Sequence, residues 1–133
     1  MNYYHLSDLI IRLKLAYRCH LISVKVLKNK FAIKFLNILY KIGVIRGFFI
    51  LENESNILVY LKYKNKKATI YDIKVVSKPS KRIYWDLNLL SKNYRKHAIS
   101  NFYIISTSKG LITSNDAILQ QSISGEILCE IKL

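Results

Sequence analysis

Apolar residues recur at helical spacing twice before residue 43 and at strand spacing after it, and this change of period constrains the fold more than any other feature. Leu6, Leu9, Ile10, Leu13 and Tyr17 make one helical stripe. Ser7 and Asp8 stand near its start and Arg12, Lys14 and Arg18 toward its end, an order that suits the helix dipole. Ile22, Val24 and Val26 then alternate with Ser23 and Lys25, as in a half-buried strand. A second helix is predicted over residues 30–42, with Phe31, Phe35, Ile38 and Ile42 on one side and Gly43 at the C-terminal cap. Strands over residues 44–51 and 57–63 flank a polar hairpin connection, and a third over 69–76 completes a meander. The sequence Ser77-Lys78-Pro79-Ser80 ends it.

These elements predict an N-terminal α/β lobe over residues 1–77, with helices packed on a three-strand sheet. Beyond it, a β-rich lobe is expected over residues 78–133. Its pieces are a short strand at 82–85, a helix or turn at 86–94 and an apolar strand at 99–105. A polar loop at 106–110, a small helix at 115–121 and a strand at 125–131 follow. The fold class is therefore α+β, in two small lobes.

Charge narrows the function. The 133 residues carry 22 Lys and Arg against 8 Asp and Glu, a net +14. With 51% hydrophobic residues the chain is not disordered, so it folds in spite of this self-repulsion and points to a polyanionic partner. Seven basic residues and no acidic one lie between Arg12 and Lys34, and eight against Asp72 alone between Lys62 and Arg82. Nucleic acid and an anionic membrane surface are the two candidates. A peripheral membrane module would use Lys62, Lys64, Lys66 and Lys67, but no basic amphipathic helix offers a spare apolar face. The same lysines also read as a solvated hairpin that protects a sheet edge. No apolar run is long enough to span a bilayer, and Asp8, Arg12 and Lys14 interrupt any secretory signal.

Catalytic signatures are absent. Cys19 and Cys129 stand 110 positions apart, and His5, His20 and His97 lack ligand spacing, so neither a metal nor a cofactor is expected. Ser106-Thr107-Ser108-Lys109 fits S-x-x-K, but the accompanying S-D-N and K-T-G elements are missing. No carboxylate or histidine cluster supports a nuclease. The chain is not read as an enzyme and no small-molecule substrate is implied. The Ser106 to Gly110 stretch instead offers three hydroxyls, an ammonium and a glycine on one turn. Such groups suit ribose hydroxyls, phosphates and base edges, although a plain Ser/Thr turn has the same composition.

Six blocks, in order, resemble the family of small-subunit ribosomal protein eight. Asp8-Leu9-Ile10-Ile11-Arg12-Leu13-Lys14 is similar to its first helix. Lys30-Phe31 and Gly43-Val44-Ile45 match its next two blocks. Val76-Ser77-Lys78-Pro79-Ser80-Lys81-Arg82-Ile83-Tyr84 resembles its V-S-[KR]-P-G-x-R-[IV]-Y linker. Ile104-Ile105-Ser106-Thr107-Ser108-Lys109-Gly110-Leu111-Ile112 and Gly125-Glu126-Ile127-Leu128-Cys129 resemble its signature and closing strand.

The resemblance implies a two-lobed structural protein of the small ribosomal subunit. It would bind the central domain of the small-subunit rRNA beside neighbouring ribosomal proteins, without turnover, cofactor or membrane. It assigns RNA contact to Ser106, Thr107, Ser108, Lys109, Gly110 and Glu126 in the C-terminal lobe. It adds Lys78, Pro79, Ser80, Arg82 and Tyr84 from the linker, and Arg12, Lys30 and Lys34 from the N-terminal lobe for a second RNA segment. Asn101, Ser80 and Ser124 stand where the family has glycine; Asn is the non-glycine residue that best tolerates a left-handed conformation, and altered or partly strained turns are expected at the two serines. The 20 Ile, 17 Lys, 10 Asn and 10 Tyr against 5 Arg and 4 Gly point to an A/T-biased genome. A mitochondrial ribosome is the expected location, with a plastid or an A/T-rich bacterium as the alternatives.

Overall fold

Helix α1 (Tyr3–Arg18) buries Leu6, Leu9, Ile10, Leu13, Ala16 and Tyr17, the stripe that its period announces. The computed structural model describes residues 3–86, 88, 89, 92, 101–119 and 125–133. They form two compact units, residues 1–71 and 72–133.

In the first unit, β1 (Ser23–Leu27) leads into α2 (Lys30–Ile42). The Asn29 side chain caps α2 by accepting from the Ala32 N–H at 2.7 Å. Gly43 closes it with φ +89°, a left-handed conformation that a Cβ would penalise, and its N–H donates to the Leu39 and Tyr40 carbonyls. Strands β2 (Ile45–Ile50) and β3 (Asn56–Leu61) complete an antiparallel sheet of order β1-β3-β2. Central β3 buries Ile57, Val59 and Leu61, while α2 brings Phe35, Leu36 and Leu39 to the core. The Val44 carbonyl accepts from two hydroxyls, Tyr17 Oη at 2.8 Å and Thr69 Oγ1 at 2.6 Å. Burial pushes the Tyr17 phenol up from its ordinary range. The lysine-rich segment forms a separate hairpin of β4 (Tyr63–Lys64) and β5 (Lys67–Ala68). Asn65 and Lys66 turn it with positive φ, as the tightest hairpins require.

The second unit contains β6 (Asp72–Val75), β7 (Tyr84–Trp85), β8 (Asn101–Thr107), β9 (Gly110–Thr113), α3 (Ser114–Leu119) and β10 (Gly125–Lys132). Here one expectation is corrected. The strand predicted over residues 69–76 does not join the N-terminal meander. Its ordered part, β6, pairs with β10, so the division falls after Tyr71 and not after residue 77. The physical reason is partner choice. Ile73 and Ile131 stand opposite each other and both are buried, whereas β1 takes the third place in the N-terminal sheet.

Strand β10 pairs with β8 on one edge and with β6 and β7 on the other. Tyr103, Ile105, Ala117 and Ile127 form a core cluster, with Val76, Ile83, Trp85 and Ile112 packed against it. The Trp85 and Tyr103 rings meet edge to face at 5.0 Å. Asn101 is extended at the start of β8, not left-handed, and donates to Glu130 Oε1 at 2.9 Å. Most of the segment 86–94, the end of the small helix and Ser124 lie outside the described residues.

Cys19 is exposed and Cys129 is buried. Burial pushes the Cys129 thiol far above its ordinary range. In the native state iodoacetamide should therefore label Cys19 alone, as read by mass spectrometry. The Cys129 contribution to stability should persist below an unfolded thiol pKa of about 8.5 and fade as pH rises above it, because only the unfolded chain then releases the proton.

Candidate nucleic-acid interface

The register of β10 lines up residues that are distant in sequence. Glu126 pairs with Tyr84 of β7 on one side and with Ser106 of β8 on the other, and directly opposed residues in antiparallel strands share a face. Tyr84, Glu126 and Ser106 therefore form one row across three strands. Tyr84 is 59% exposed, so it does not serve as core, while Glu126 and Ser106 are half-buried.

The row ends at a tight turn. Thr107 pairs with Gly110, leaving Ser108 and Lys109 as the two exposed residues between β8 and β9. Gly110 has φ +107°, which permits the reversal. The Thr107 hydroxyl accepts from the Lys109 N–H at 3.2 Å and donates to the Gly110 carbonyl at 3.0 Å. Of the three hydroxyls expected to face RNA, Thr107 thus serves the turn itself. Ser106 and Ser108 are the two left to present outward.

Gly125 holds this corner together. A Cβ there would lie 2.7 Å from both the Ser106 carbonyl oxygen and Ile105 Cγ2, and 2.9 Å from Thr107 Cγ2. Only glycine lets β10 pass this close under the turn.

A second turn stands beside β7. Lys78 and Lys81 exchange backbone hydrogen bonds of 2.9 and 3.0 Å around Pro79 and Ser80, with proline at the position where its fixed φ favours a turn. Residues 78–82 are all exposed, so Lys78, Lys81 and Arg82 reach solvent together. Ser80 has no positive φ, so the strain expected from its replacement of a family glycine does not arise. Ser77 anchors this turn. Its side chain is fully buried, donates to the Ile127 carbonyl and accepts from the Ile83 N–H at 3.1 Å. Sequence reasoning quoted Ser77 and Gly125 in their motifs without giving either a role. Both act through burial, which no local pattern encodes.

The expected residues of the first unit form a separate group. Arg12 is committed internally, donating from Nε to Asp8 Oδ2 at 3.0 Å and from a terminal nitrogen to the Lys25 carbonyl at 3.1 Å. It ties α1 to β1. Lys30 and Lys34 are exposed one turn apart on α2, with Lys41 further along the same face. Here the arrangement offers cations without a specific geometry.

The family model of ribosomal protein S8 matches residues 5–131. The small ribosomal subunit protein uS8m of Acanthamoeba castellanii is 39% identical over 126 residues, covering 95% of this chain and 97% of the relative. The uS8 proteins of Syntrophus aciditrophicus and Rickettsia typhi are 35% and 33% identical over 130 residues, each covering at least 95% of both chains.

Two substitutions test the supports. Gly125→Ala should cost about 1–3 kcal/mol through overpacking against a backbone oxygen that cannot yield. Ser77→Ala should cost about 1–3 kcal/mol, because it leaves the Ile127 carbonyl and the Ile83 N–H without their partner. Chemical denaturation reads both losses. Hydrogen exchange should also quicken across residues 78–83 in the Ser77 variant; unchanged exchange there would remove Ser77 from its anchoring role.

Proposed function

The chain belongs to the ribosomal protein S8 family, and from that premise we propose that the row Tyr84–Glu126–Ser106 and its two flanking turns read the rRNA site of a small ribosomal subunit. The chain is a structural component of that subunit and binds its rRNA. The observation that carries the finer reading is the β10 register. It sets an exposed aromatic ring, a carboxylate and a hydroxyl in one line, between a turn ending in Lys109 and another holding Lys78, Lys81 and Arg82.

In this reading Tyr84 stacks on or bonds to an irregular base. Glu126 accepts from a base amine, and Ser106 and Ser108 meet ribose hydroxyls or base edges. Lys78, Arg82 and Lys109 hold phosphates, which position the protein without selecting sequence. Lys30 and Lys34 contact a second RNA segment from the N-terminal unit. The RNA element is a helix of the central domain. The role is to order the RNA fold, without chemical turnover. The mitochondrial ribosome is its proposed location, supported by the A/T-biased composition and by the mitochondrial designation of the Acanthamoeba relative. Co-sedimentation of the tagged protein with small subunits of purified mitochondria checks that location.

The test uses a transcript of the central domain of a bacterial small-subunit rRNA beside a random duplex. If about four to six phosphates are neutralised, log affinity should fall against log salt with a slope of roughly −4 to −5. Tyr84→Ala, removing a stacked ring, should lower cognate affinity by about 1–3 kcal/mol. Ser106→Ala with Ser108→Ala should lose about 0.5–1.5 kcal/mol per hydrogen bond removed. Neither change should alter the slope or the affinity for random duplex. Equal losses on both RNAs would assign these residues to folding and not to recognition.

A further inference from the structure

We propose that a groove on the N-terminal unit captures one unpaired base of single-stranded RNA. The groove lies along the edge strand β2, encloses about 560 Å³ and is lined by Asn37, Tyr40, Arg46, Gly47, Phe48, Phe49 and Tyr60. That size falls in the range that holds small organic ligands, roughly 300–1,000 Å³. None of the residues assigned to RNA above contributes to it.

Its chemistry follows from the strand. Gly47 stands opposite Tyr60 in the register, and a Cβ on Gly47 would meet nothing within 4 Å, so open space borders the ring. The Phe49 and Tyr60 rings sit 5.7 Å apart at 88°. Such a perpendicular pair covers at most one π face and leaves the others for a ligand. Phe49 is 62% exposed and Tyr40 55% exposed, a cluster of open aromatic surface of the kind that marks binding sites. A β-bulge between Ile45 and Gly47 leaves Arg46 without a partner in β3 and exposed to solvent. Bulges re-aim side chains in this way.

The lining thus combines four aromatic rings, an amide, a guanidinium and no carboxylate. Aromatic faces accept any base, an amide can donate to and accept from a base edge, and a guanidinium suits the adjoining phosphate. A protein strand could also add to the β2 edge. A lone guanidinium without an acidic neighbour in the lining, on a chain of net charge +14, favours the polyanion. The proposal rests on the RNA-binding reading above and adds to it a contact outside the C-terminal row.

The probe is a fluorescein-labelled octamer of uridylate, measured by anisotropy with the full chain. The central-domain transcript is measured in parallel. Gly47→Val fills the open space with a strand-favouring side chain at a position of ordinary φ, and Phe49→Ala removes an exposed ring. Each should weaken octamer binding at least about fivefold, the lower end of one lost base stack, with melting temperature retained. An octamer carrying 5-iodouridine should crosslink to Tyr40, Phe49 or Tyr60. Unchanged octamer affinity in both variants, or crosslinks confined to residues 72–133, would overturn the proposal. So would variants that keep the octamer but lose co-assembly with other small-subunit proteins, which would make the groove a protein contact. If the unsubstituted chain binds neither probe, the RNA-binding reading falls with it. Failure on the octamer alone removes only the groove.

Discussion

Strand β10 is the member on which the second unit depends, because it is hydrogen-bonded along both edges. Its register with β8 shifts between Ile127 and Cys129, and there its other edge changes partner from β6 to β7. The Leu128 carbonyl accepts from Val76 at this point, and the Ile127 N–H donates to Ile83. The bulge therefore lets one strand hold two others on the same side, with the exposed 78–82 turn looped out between them. Without that change of partner, Tyr84 would not stand in line with Glu126 and Ser106.

Hydroxyl groups divide into structural and outward-facing ones by burial. The Ser77 hydroxyl is sealed inside and satisfies two backbone groups of the core. Thr107 closes its own turn. Ser106 and Ser108 lie on either side of Thr107 and keep some access to solvent. A surface that must read a polar ligand needs rigid supports of this kind, since a loose turn would lose on binding what its contacts gain. Gly125 adds to the rigidity by bringing two backbones within the reach that a side chain would block.

Charge acts differently. Most of the lysines are exposed and bear no defined geometry, as on the outer face of α2 and in the β4–β5 hairpin. Such cations attract and hold a phosphate backbone whatever its sequence. Arg12 shows the converse: a basic residue in a motif helix that bonds to Asp8 and to the Lys25 carbonyl. A positive count along the chain therefore tells the class of partner, while the selectivity is proposed to lie in the hydrogen-bonded row and the aromatic groove.

Helix α1, helix α2 with its C-terminal cap, and the turns at Pro79 and Gly110 were legible in the sequence, because each rests on residues within a few positions of one another. The chain by itself also determined the α+β class, a polyanionic partner and, through its ordered motifs, the family. Three things were decided only in the folded chain. Residues 72–75 left the N-terminal meander for β10, the row joined residues 84, 106 and 126, and Gly47 opened a groove beside Tyr60. In each case the outcome depends on which distant strand a segment pairs with and in what register. That choice is set by burial and backbone hydrogen bonding across the sheet, and a period of two reads the same whichever neighbour the strand takes.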